Sequence, residues 1–310
     1  MKQNCKEHLT SFVEKARNPL VVVLGPTASG KTAFSITVAQ FLREMGKSAE
    51  VVNADSRQLY RGMDIGTAKI TSEEMVGIPH HLLDVLDPDE EVTGAWYKVE
   101  ASRVIDDILK RGNIPMLVGG SMLYISALID DLEFVSSADP ALRQKLEDQY
   151  DEDAGGALYA RLTEIDPETA SAFSKNNKPY VLRAMEIFES TGLKPSIAKQ
   201  SGSCPWDLLI FGMQCPRDVL VQRIHERTTT MFEDGWIDEV RVLLGNGYSL
   251  ADPGMKSHGY REIAEAVLDR EINEEALAES IAAKTRQYAK RQMTWWRNDP
   301  RITWLDASAL

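Results

Sequence analysis

Eight consecutive residues have the types and the spacing of a phosphate-binding loop. They read Gly25, Pro26, Thr27, Ala28, Ser29, Gly30, Lys31 and Thr32. This order matches the pattern G-x-x-x-x-G-K-[ST], in which glycines permit tight curvature and backbone N–H groups point into one concavity. In such a loop Lys31 reaches the outer phosphates, and the Thr32 hydroxyl can hold a Mg²⁺ ion. The stretch predicts a site for a diphosphate or triphosphate; without a ligand it would be only a glycine-rich turn.

The segments on either side of this loop have the order that the pattern requires. Residues 21–24 are four apolar residues, three of them β-branched, and they predict a buried strand. Residues 31–46 follow with a helical pattern that Gly46 closes. A helix that begins at the end of such a loop adds positive partial charge to the anion site.

A second predicted strand, residues 49–54, ends on an acidic residue. Asp55 follows it directly, and in open parallel sheets ligands bind beyond the carboxyl ends of the strands. Asp55 is therefore expected on the same rim as the phosphate loop, where a carboxylate can take a proton. The alternative is a local role, in which the Asp55 side chain caps a helix or an Asx-turn.

A third predicted strand, residues 114–118, ends on Gly119-Gly120-Ser121, and a new helix begins at Met122. This turn can approach a phosphate or a ribose closely, or it can be only a tight strand–helix connection. The alternation of strands and helices predicts an α/β fold, with a P-loop NTPase-like parallel sheet as its core and helices on its faces.

The pattern of strands and helices changes near residue 130, and this change divides the chain. Residues 131–200 contain acidic helical segments without strands, and they predict an inserted all-helical subdomain. We expect a P-loop core in two parts, residues 19–130 and 201–310, the second of which contains a C-terminal basic helix. Residues 1–18 are expected to be a polar extension with at most a short helical turn.

Two predicted helices of the second part carry basic residues that could meet phosphates. In residues 216–231, Arg223 and Arg227 stand four apart, either as a clamp on a phosphate or as part of a solvated face. Residues 273–297 interleave basic with aromatic residues, which suits contact with a nucleic-acid backbone and stacking on bases. The alternative is a helix whose aromatic residues pack in the core and whose basic residues face water.

The composition excludes several classes of protein. The chain has 310 residues and a formal net charge of -12, so a nucleic acid would have to meet a local basic patch. Its 3 cysteines form no C-x-x-C pair, which argues against a zinc module and fits a reducing compartment. No run of 18 apolar residues occurs, so we expect no membrane span and a cytoplasmic protein.

Taken together, these motifs resemble the tRNA dimethylallyltransferase (tRNA isopentenyltransferase) family, from about residue 20 to residue 305. Besides the phosphate loop, the matching stretches are Asp55-Ser56-Arg57-Gln58-Leu59-Tyr60, Met63 to Lys69, Pro79-His80-His81-Leu82, Val118 to Gly120 with Leu123-Tyr124, Gly259-Tyr260-Arg261, and Thr285 to Gln292. Many enzymes share the loop, whereas the Asp-Ser-Arg-Gln and Thr-Arg-Gln-x-Ala-Lys-Arg-Gln runs are far more specific.

The resemblance implies transfer of a dimethylallyl group from dimethylallyl diphosphate to N6 of adenosine 37 in tRNA. Asp55 would orient the amine and take its proton, while Lys31, Thr32 with Mg²⁺, and Arg227 would stabilise the leaving diphosphate. The protein is expected to be a monomer that grips the anticodon stem-loop with its helical insertion. The residues that the family's pattern places against tRNA are Asp55, Ser56, Arg57, Gln58, Ser121, Arg143, Pro179, Tyr180, Arg183, Lys256, Tyr260 and Arg261.

The sequence also departs from the family's pattern. Pro179-Tyr180 replaces a polar Gln-Arg pair, Ser121 replaces a more usual threonine, and His258 stands where an apolar residue is common. These departures concern the choice of tRNA rather than the chemistry.

Two other functions use the same loop. A P-loop nucleotide or small-molecule kinase would need ATP and an acidic residue at the end of a neighbouring core strand, which residues 114–118 lack. An RNA-binding scaffold would bind a nucleotide without turnover, and Asp55 with the clustered arginines argues for chemistry instead.

Overall fold

The computed structural model describes residues 1–134, 139–198 and 202–308. The chain forms two compact units. The first unit contains Met1–Ile129 and Cys204–Leu310, and the second contains Asp130–Ser203.

A parallel sheet is the centre of the first unit. Its strands are β1 (Pro19–Leu24), β2 (Ala49–Ala54), β3 (His80–His81), β4 (Ile114–Gly119), β5 (Asp207–Gln214) and β6 (Ile302–Asp306). They lie side by side in the order β3-β2-β4-β1-β5-β6, and every neighbouring pair is parallel. Gly119 is level with both Leu24 and Ala54, so the turns after β1, β2 and β4 meet at one edge of the sheet. The sheet confirms the predicted α/β fold.

Helices make up most of the remaining described chain. They are α1 (Gln3–Lys15), α2 (Lys31–Glu44), α3 (Gly94–Lys110), α4 (Met122–Ile129), α5 (Pro140–Glu152), α6 (Gly156–Ile165), α7 (Pro167–Ser171), α8 (Lys178–Thr191), α9 (Pro195–Ala198), α10 (Arg217–Glu233), α11 (Trp236–Gly245), α12 (Tyr260–Asp269) and α13 (Glu274–Trp296). Across the described residues, none of these helices combines the length and the apolar character that a membrane span needs.

The sheet lies between two apolar layers. Leu20, Val22 and Leu24 of β1 face a cluster that also includes residues of α3, α4 and α10–α13. Val21 and Val23 face the opposite cluster, which α1 and α2 complete. All six residues of β1 are buried, as expected for a strand in a parallel sheet that is covered on both faces.

The prediction for the N-terminal extension is wrong in one respect. Residues 3–15 form a helix of 13 residues rather than a short turn, and Cys5, Leu9 and Val13 are its buried side chains. These residues stand four apart, so they form one narrow apolar stripe that packs in the same cluster as β1 and α2. The polar residues between them hide this spacing in the sequence.

The second unit contains helices α5 to α9. Helices α5, α6 and α8 surround a small apolar core that includes Leu146, Leu162, Val181 and Met185. Helix α9 lies where the sequence has the composition of a linker.

Candidate active site

The phosphate loop follows β1 and ends where α2 begins. Gly25 has φ 147°, and a Cβ at this position would lie 2.5 Å from the carbonyl oxygen of Met213, so only glycine fits. The N-cap of α2 is Gly30, which has no side chain to cap the first N–H groups of the helix. Those N–H groups and the loop amides form a site for an anion.

Lys31 is the cationic residue of the phosphate loop. Its Nζ donates to the carbonyl oxygen of Pro26 at 2.8 Å. Burial lowers the pKa of Lys31 to about 8, the negative charge of Asp55 raises it, and the positive charge of Arg227 lowers it. A half-buried ammonium that is influenced by a carboxylate and a guanidinium is suited to an incoming polyanion, which would favour its charged form.

Arg227 reaches the same loop from α10. Its Nη1 donates to the Thr27 hydroxyl at 3.3 Å, and burial lowers its pKa while the charge of Asp55 raises it. Arg223, one helical turn away, donates instead to the carbonyl oxygen of Ala307 at 3.0 Å. Of these two arginines, Arg227 is therefore the one that contacts the phosphate loop.

Asp55 lies just beyond β2, and it takes part in the local turn that the alternative interpretation requires. Its Oδ1 accepts from the N–H of Arg57 at 3.0 Å, and its own N–H donates to Oδ1 of Asn53 at 3.0 Å. Among the described residues no donor reaches Oδ2, so one oxygen fixes the carboxylate and the other is available to a substrate. Burial and the charge of Asp55 together raise the pKa of Tyr288 to about 12.

The residues after Asp55 are held to neighbouring turns. The Ser121 hydroxyl accepts from the N–H of Ser56 at 2.8 Å, and Arg57 donates to the carbonyl oxygen of Pro253 at 3.5 Å. Gln58 Nε2 donates to the carbonyl oxygens of Thr67 and Ala68, both at 3.1 Å. The Gln58 amide thus supports the turn rather than pointing freely to a ligand.

Gln292 is a residue of this site to which the sequence predictions gave no role. From α13, its Oε1 accepts from the N–H of Thr27 at 2.9 Å, and its Nε2 donates to the carbonyl oxygen of Gly120 at 2.7 Å. The side chain is 1% exposed and joins the phosphate loop to the turn after β4. Gln292 ends the Thr285 to Gln292 run that the sequence analysis singled out, but the run does not reveal which backbone groups its amide contacts.

The phosphate loop and Asp55 line one cavity of about 800 Å³. Thr27, Ala28 and Arg227 are among its lining residues, and so are Asp55 and Ser121. The lining also includes the apolar side chains of Tyr60, Val92, Met231 and Trp236, and the polar side chains of Lys256, His258 and Arg291. A smaller cavity, of about 110 Å³, is lined by Lys31 and Thr32 and shares Thr27, Asp55 and Arg227 with the first. Apolar side chains, cationic side chains and the phosphate loop therefore lie close together, which suits the binding of an apolar group, a polyanion and a planar base.

Tyr260 does not lie on a surface that a tRNA could touch, which corrects the prediction for this residue. It is 0% exposed, and its hydroxyl donates to Oε1 of Glu239 at 2.6 Å. Lys256 is exposed at the cavity, whereas Arg261 is exposed and paired with Glu265 at 2.9 Å. Of the three predicted contacts Lys256, Tyr260 and Arg261, Lys256 is the one that lines the cavity.

The remaining predicted tRNA contacts belong to the second unit. Buried Glu186 pairs with both Arg143 and Arg183, the latter at 3.3 Å, and Arg143 also pairs with Glu147 at 2.7 Å. Pro179 is in the first turn of α8, where its missing N–H costs nothing. Tyr180 is 54% exposed and packs against Phe173 with ring centroids 5.5 Å apart.

Some aromatic and basic residues of helix α13 pack in the core or pair with carboxylates, and others lie where a nucleic acid could reach them. Trp296 is buried in the core, whereas Trp295 is half exposed and donates to the Ser126 hydroxyl at 3.3 Å. Lys284 and Arg286 are paired with Glu262 and Glu279, at 2.5 and 2.9 Å. Arg291 lies over the Tyr288 ring, 5.7 Å from its centroid, and lines the large cavity.

The residues of the loop fit a Mg²⁺ ion that arrives with a phosphate. Thr32 is exposed, and no hydrogen bond joins its hydroxyl to another described residue. Within the described residues, no group of three or more histidine, cysteine, aspartate or glutamate side chains could hold a metal ion. Mg²⁺ commonly binds through one or two protein oxygens, waters and substrate phosphates, so a single hydroxyl is sufficient on the protein side.

Comparisons with known proteins show which family this chain resembles. A family model described as IPP transferase matches residues 58–299. The tRNA dimethylallyltransferase of Macrococcus caseolyticus is 42% identical over 294 residues, which cover 94% of this chain and 92% of that protein. The corresponding protein of Symbiobacterium thermophilum is 44% identical over 292 residues, covering 93% of this chain and 89% of that protein.

Solved structures give the same result. The full-length tRNA isopentenylpyrophosphate transferase of Bacillus halodurans has a TM-score of 0.69 and 39% identity, covering 94% of this chain and 90% of its own. A eukaryotic dimethylallyltransferase acting on tRNA has a TM-score of 0.79 and 29% identity, covering 94% of this chain and 74% of its own. This chain therefore belongs to the IPP transferase family.

Proposed function

We propose that this enzyme transfers a dimethylallyl group from dimethylallyl diphosphate to N6 of adenosine 37 in tRNA and releases diphosphate. The observation that carries the proposal is the single cavity that the phosphate loop and Asp55 both line. A prenyl diphosphate needs an anion site beside apolar walls, and its acceptor needs a base within reach. In this cavity Thr27 and Arg227 belong to the anion site, and Met231 and Trp236 provide apolar walls. Asp55 is the base within reach of the acceptor.

The reaction replaces a carbon–oxygen bond with a carbon–nitrogen bond. The lone pair of N6 attacks C1 of the dimethylallyl group, and the electrons of the C1–O bond leave with the diphosphate. One N6 proton goes to the open Oδ2 of Asp55, because an exocyclic adenine amine is a weak nucleophile that needs a positioned carboxylate. The turn that Oδ1 forms with Arg57 keeps this carboxylate oriented.

Negative charge grows on the bridging oxygen as the C1–O bond breaks. With the diphosphate in the phosphate loop, the loop amides, Lys31 and Arg227 would stabilise this charge, and their fixed positions would keep reorganisation during the reaction small. Thr32 would hold a Mg²⁺ ion, which supplies Lewis-acid stabilisation of the leaving diphosphate.

The acceptor base must leave the anticodon loop to enter the cavity. An unpaired loop base is extruded at small unstacking cost, and Lys256, His258 and Arg291 line the cavity with polar groups for the RNA. We propose that the second unit binds the anticodon stem through Arg143, Arg183 and Tyr180, and that the enzyme acts as a cytoplasmic monomer.

One assay separates this proposal from a kinase and from a scaffold. The protein is incubated with Mg²⁺, labelled dimethylallyl diphosphate and bulk tRNA that lacks the modification. We expect label on tRNA, and nuclease digestion should place it on the adenosine next to the anticodon. ATP hydrolysis without label transfer would favour the kinase, and neither reaction would favour the scaffold.

Binding of tRNA should weaken steeply as salt increases, because phosphate contacts release counterions. Arg291→Gln is expected to weaken binding of all tRNAs alike and to reduce the slope of log affinity against log salt by about one. Filter binding over a salt series measures this slope. Arg103→Gln, which removes an exposed arginine paired with Glu100, is the control. A wild-type affinity for tRNA that does not change with salt would exclude contacts between tRNA phosphates and the basic residues of α13.

Tyr180→Ala is expected to lower the efficiency of modification, because the half-exposed Tyr180 ring can stack on a loop base in place of the family's arginine. Stacking of a base on an aromatic ring contributes about 1–3 kcal/mol, so kcat/KM for tRNA should fall about 5- to 160-fold. Leu193→Ala, which truncates another exposed apolar side chain of the second unit, is the control. Unchanged efficiency on the same tRNAs would show that Tyr180 does not stack.

A further inference from the structure

Glu239 of α11 joins two turns that are far apart in the sequence. Its Oε2 accepts from the N–H groups of Asp64 and Ile65, at 2.8 and 2.7 Å. Its Oε1 accepts from the N–H of Gly66 at 3.3 Å and from the Tyr260 hydroxyl at 2.6 Å. Three successive backbone N–H groups that converge on one carboxylate form an anion nest, and Glu239 is the anion that fills it.

The turn that Glu239 holds, residues 63–69, is in contact with the turn that carries the proposed base. We call residues 63–69 the support turn and residues 55–60 the acceptor turn. Gln58 donates to the carbonyl oxygens of Thr67 and Ala68, and Lys69 Nζ donates to the carbonyl oxygen of Tyr60 at 2.8 Å. Ala68 has φ 46°, a left-handed conformation that a non-glycine residue adopts only when its surroundings enforce it.

The packing around Glu239 allows little movement of the support turn or of the start of α12. A Cβ on Gly66 would lie 2.1 Å from Nε1 of Trp236, and a Cβ on Gly259 would lie 2.0 Å from the far edge of the same indole. The Trp236 ring also contacts Tyr260, with centroids 5.6 Å apart. The support turn and the start of α12 therefore both pack against Trp236, and Glu239 accepts hydrogen bonds from both of them.

We propose that Glu239 is a positioning residue, which sets the acceptor turn, and through it Asp55, by holding the support turn against α11 and α12. Glu239 acts through Gln58 and Lys69 and touches no substrate. The proposal rests on the proposed function, since it assigns Glu239 to the geometry of prenyl transfer. It also explains why the buried Tyr260 stands beside the exposed Lys256 and His258 of the cavity: its hydroxyl anchors the start of α12 to the same carboxylate.

The test compares Glu239→Gln, Tyr260→Phe, the double variant and a matched control. In Glu239→Gln an N–H₂ group replaces one acceptor and opposes the nest, so the support turn should loosen. Because small displacements of reacting groups are costly, we expect kcat to fall about 10- to 100-fold while KM for dimethylallyl diphosphate stays within about twofold. Asp238→Asn, on the adjacent residue of α11 and paired only locally with Arg241, should leave both constants unchanged.

Tyr260→Phe removes one of the four hydrogen bonds and keeps the ring against Trp236, so it should give a smaller loss of kcat than Glu239→Gln. Because Tyr260 acts through Glu239, the hydroxyl should have little further effect in the double variant. Amide hydrogen exchange gives a readout independent of activity. Exchange at residues 56–58 should accelerate in Glu239→Gln and not in Asp238→Asn.

Each result has a distinct meaning. A lower melting temperature with unchanged kcat, or faster exchange confined to residues 64–66, would overturn the proposal and leave Glu239 a structural residue. Multiplicative effects of the two substitutions would also overturn it. If Glu239→Gln does not fold, unchanged kcat in Tyr260→Phe is the overturning result. If the wild type transfers no label, the proposed function fails instead, and the exchange experiment still decides whether Glu239 sets the acceptor turn.

Discussion

Asp55→Ala should lower turnover by about 10²–10⁴-fold, the usual contribution of a general base, while affinity for tRNA stays nearly unchanged. The reason is that Asp55 supplies the one carboxylate oxygen of the acceptor turn that no described donor engages. Single-turnover transfer of labelled dimethylallyl groups, with tRNA affinity measured in parallel, gives both quantities. Asp55→Asn should show the same loss, because its amide retains the size of the side chain and cannot accept the proton.

The control for this experiment is Asp87→Asn, since Asp87 is an exposed carboxylate paired with Arg61 at 2.8 Å. It should transfer at the wild-type rate. Equal losses of turnover and tRNA affinity in Asp55→Ala would mean that Asp55 serves only the turn that its Oδ1 forms with Arg57.

Lys31→Met is expected to lower turnover by about 10²–10³-fold, the usual effect of removing one preorganised donor from a developing anion. The pH dependence tests the same residue. Burial lowers the pKa of Lys31 to about 8, so the ligand-free protein loses this positive charge as the pH rises through that value. The terminal phosphate of the donor loses its last proton near pH ~6, so the ligand does not change charge in this range.

Affinity for dimethylallyl diphosphate, measured by calorimetry without tRNA, should therefore be level between pH 7 and about 8 and then fall by about tenfold per pH unit. In Lys31→Met the affinity should be lower at every pH and should lack this decline. Lys110→Met, which removes an exposed lysine of α3, should retain the wild-type profile. A wild-type profile that is level to pH 10 would contradict a role for the Lys31 charge.

Much of the site could be predicted from local patterns in the sequence. The apolar run of β1, the glycine spacing and the start of α2 are adjacent in the sequence, and the rule that ligands bind at the carboxyl ends of parallel strands placed Asp55 beside them. The family's motifs drew attention to Tyr260, but a motif does not reveal burial, and the Tyr260 side chain lies within the core. The partners of Gln292 and Glu239 depend on contacts between distant segments, which no local pattern contains.

The hydrogen bond between Gln292 and Thr27 also has a consequence for the synthesis of the protein. A ribosome that has added Thr27 must add 265 more residues before the partner of that amide exists. The phosphate loop is thus held in part by a helix that is translated long after the loop itself. A nascent or prematurely terminated chain that lacks α13 would have the phosphate loop without the hydrogen bonds of Gln292 to Thr27 and Gly120.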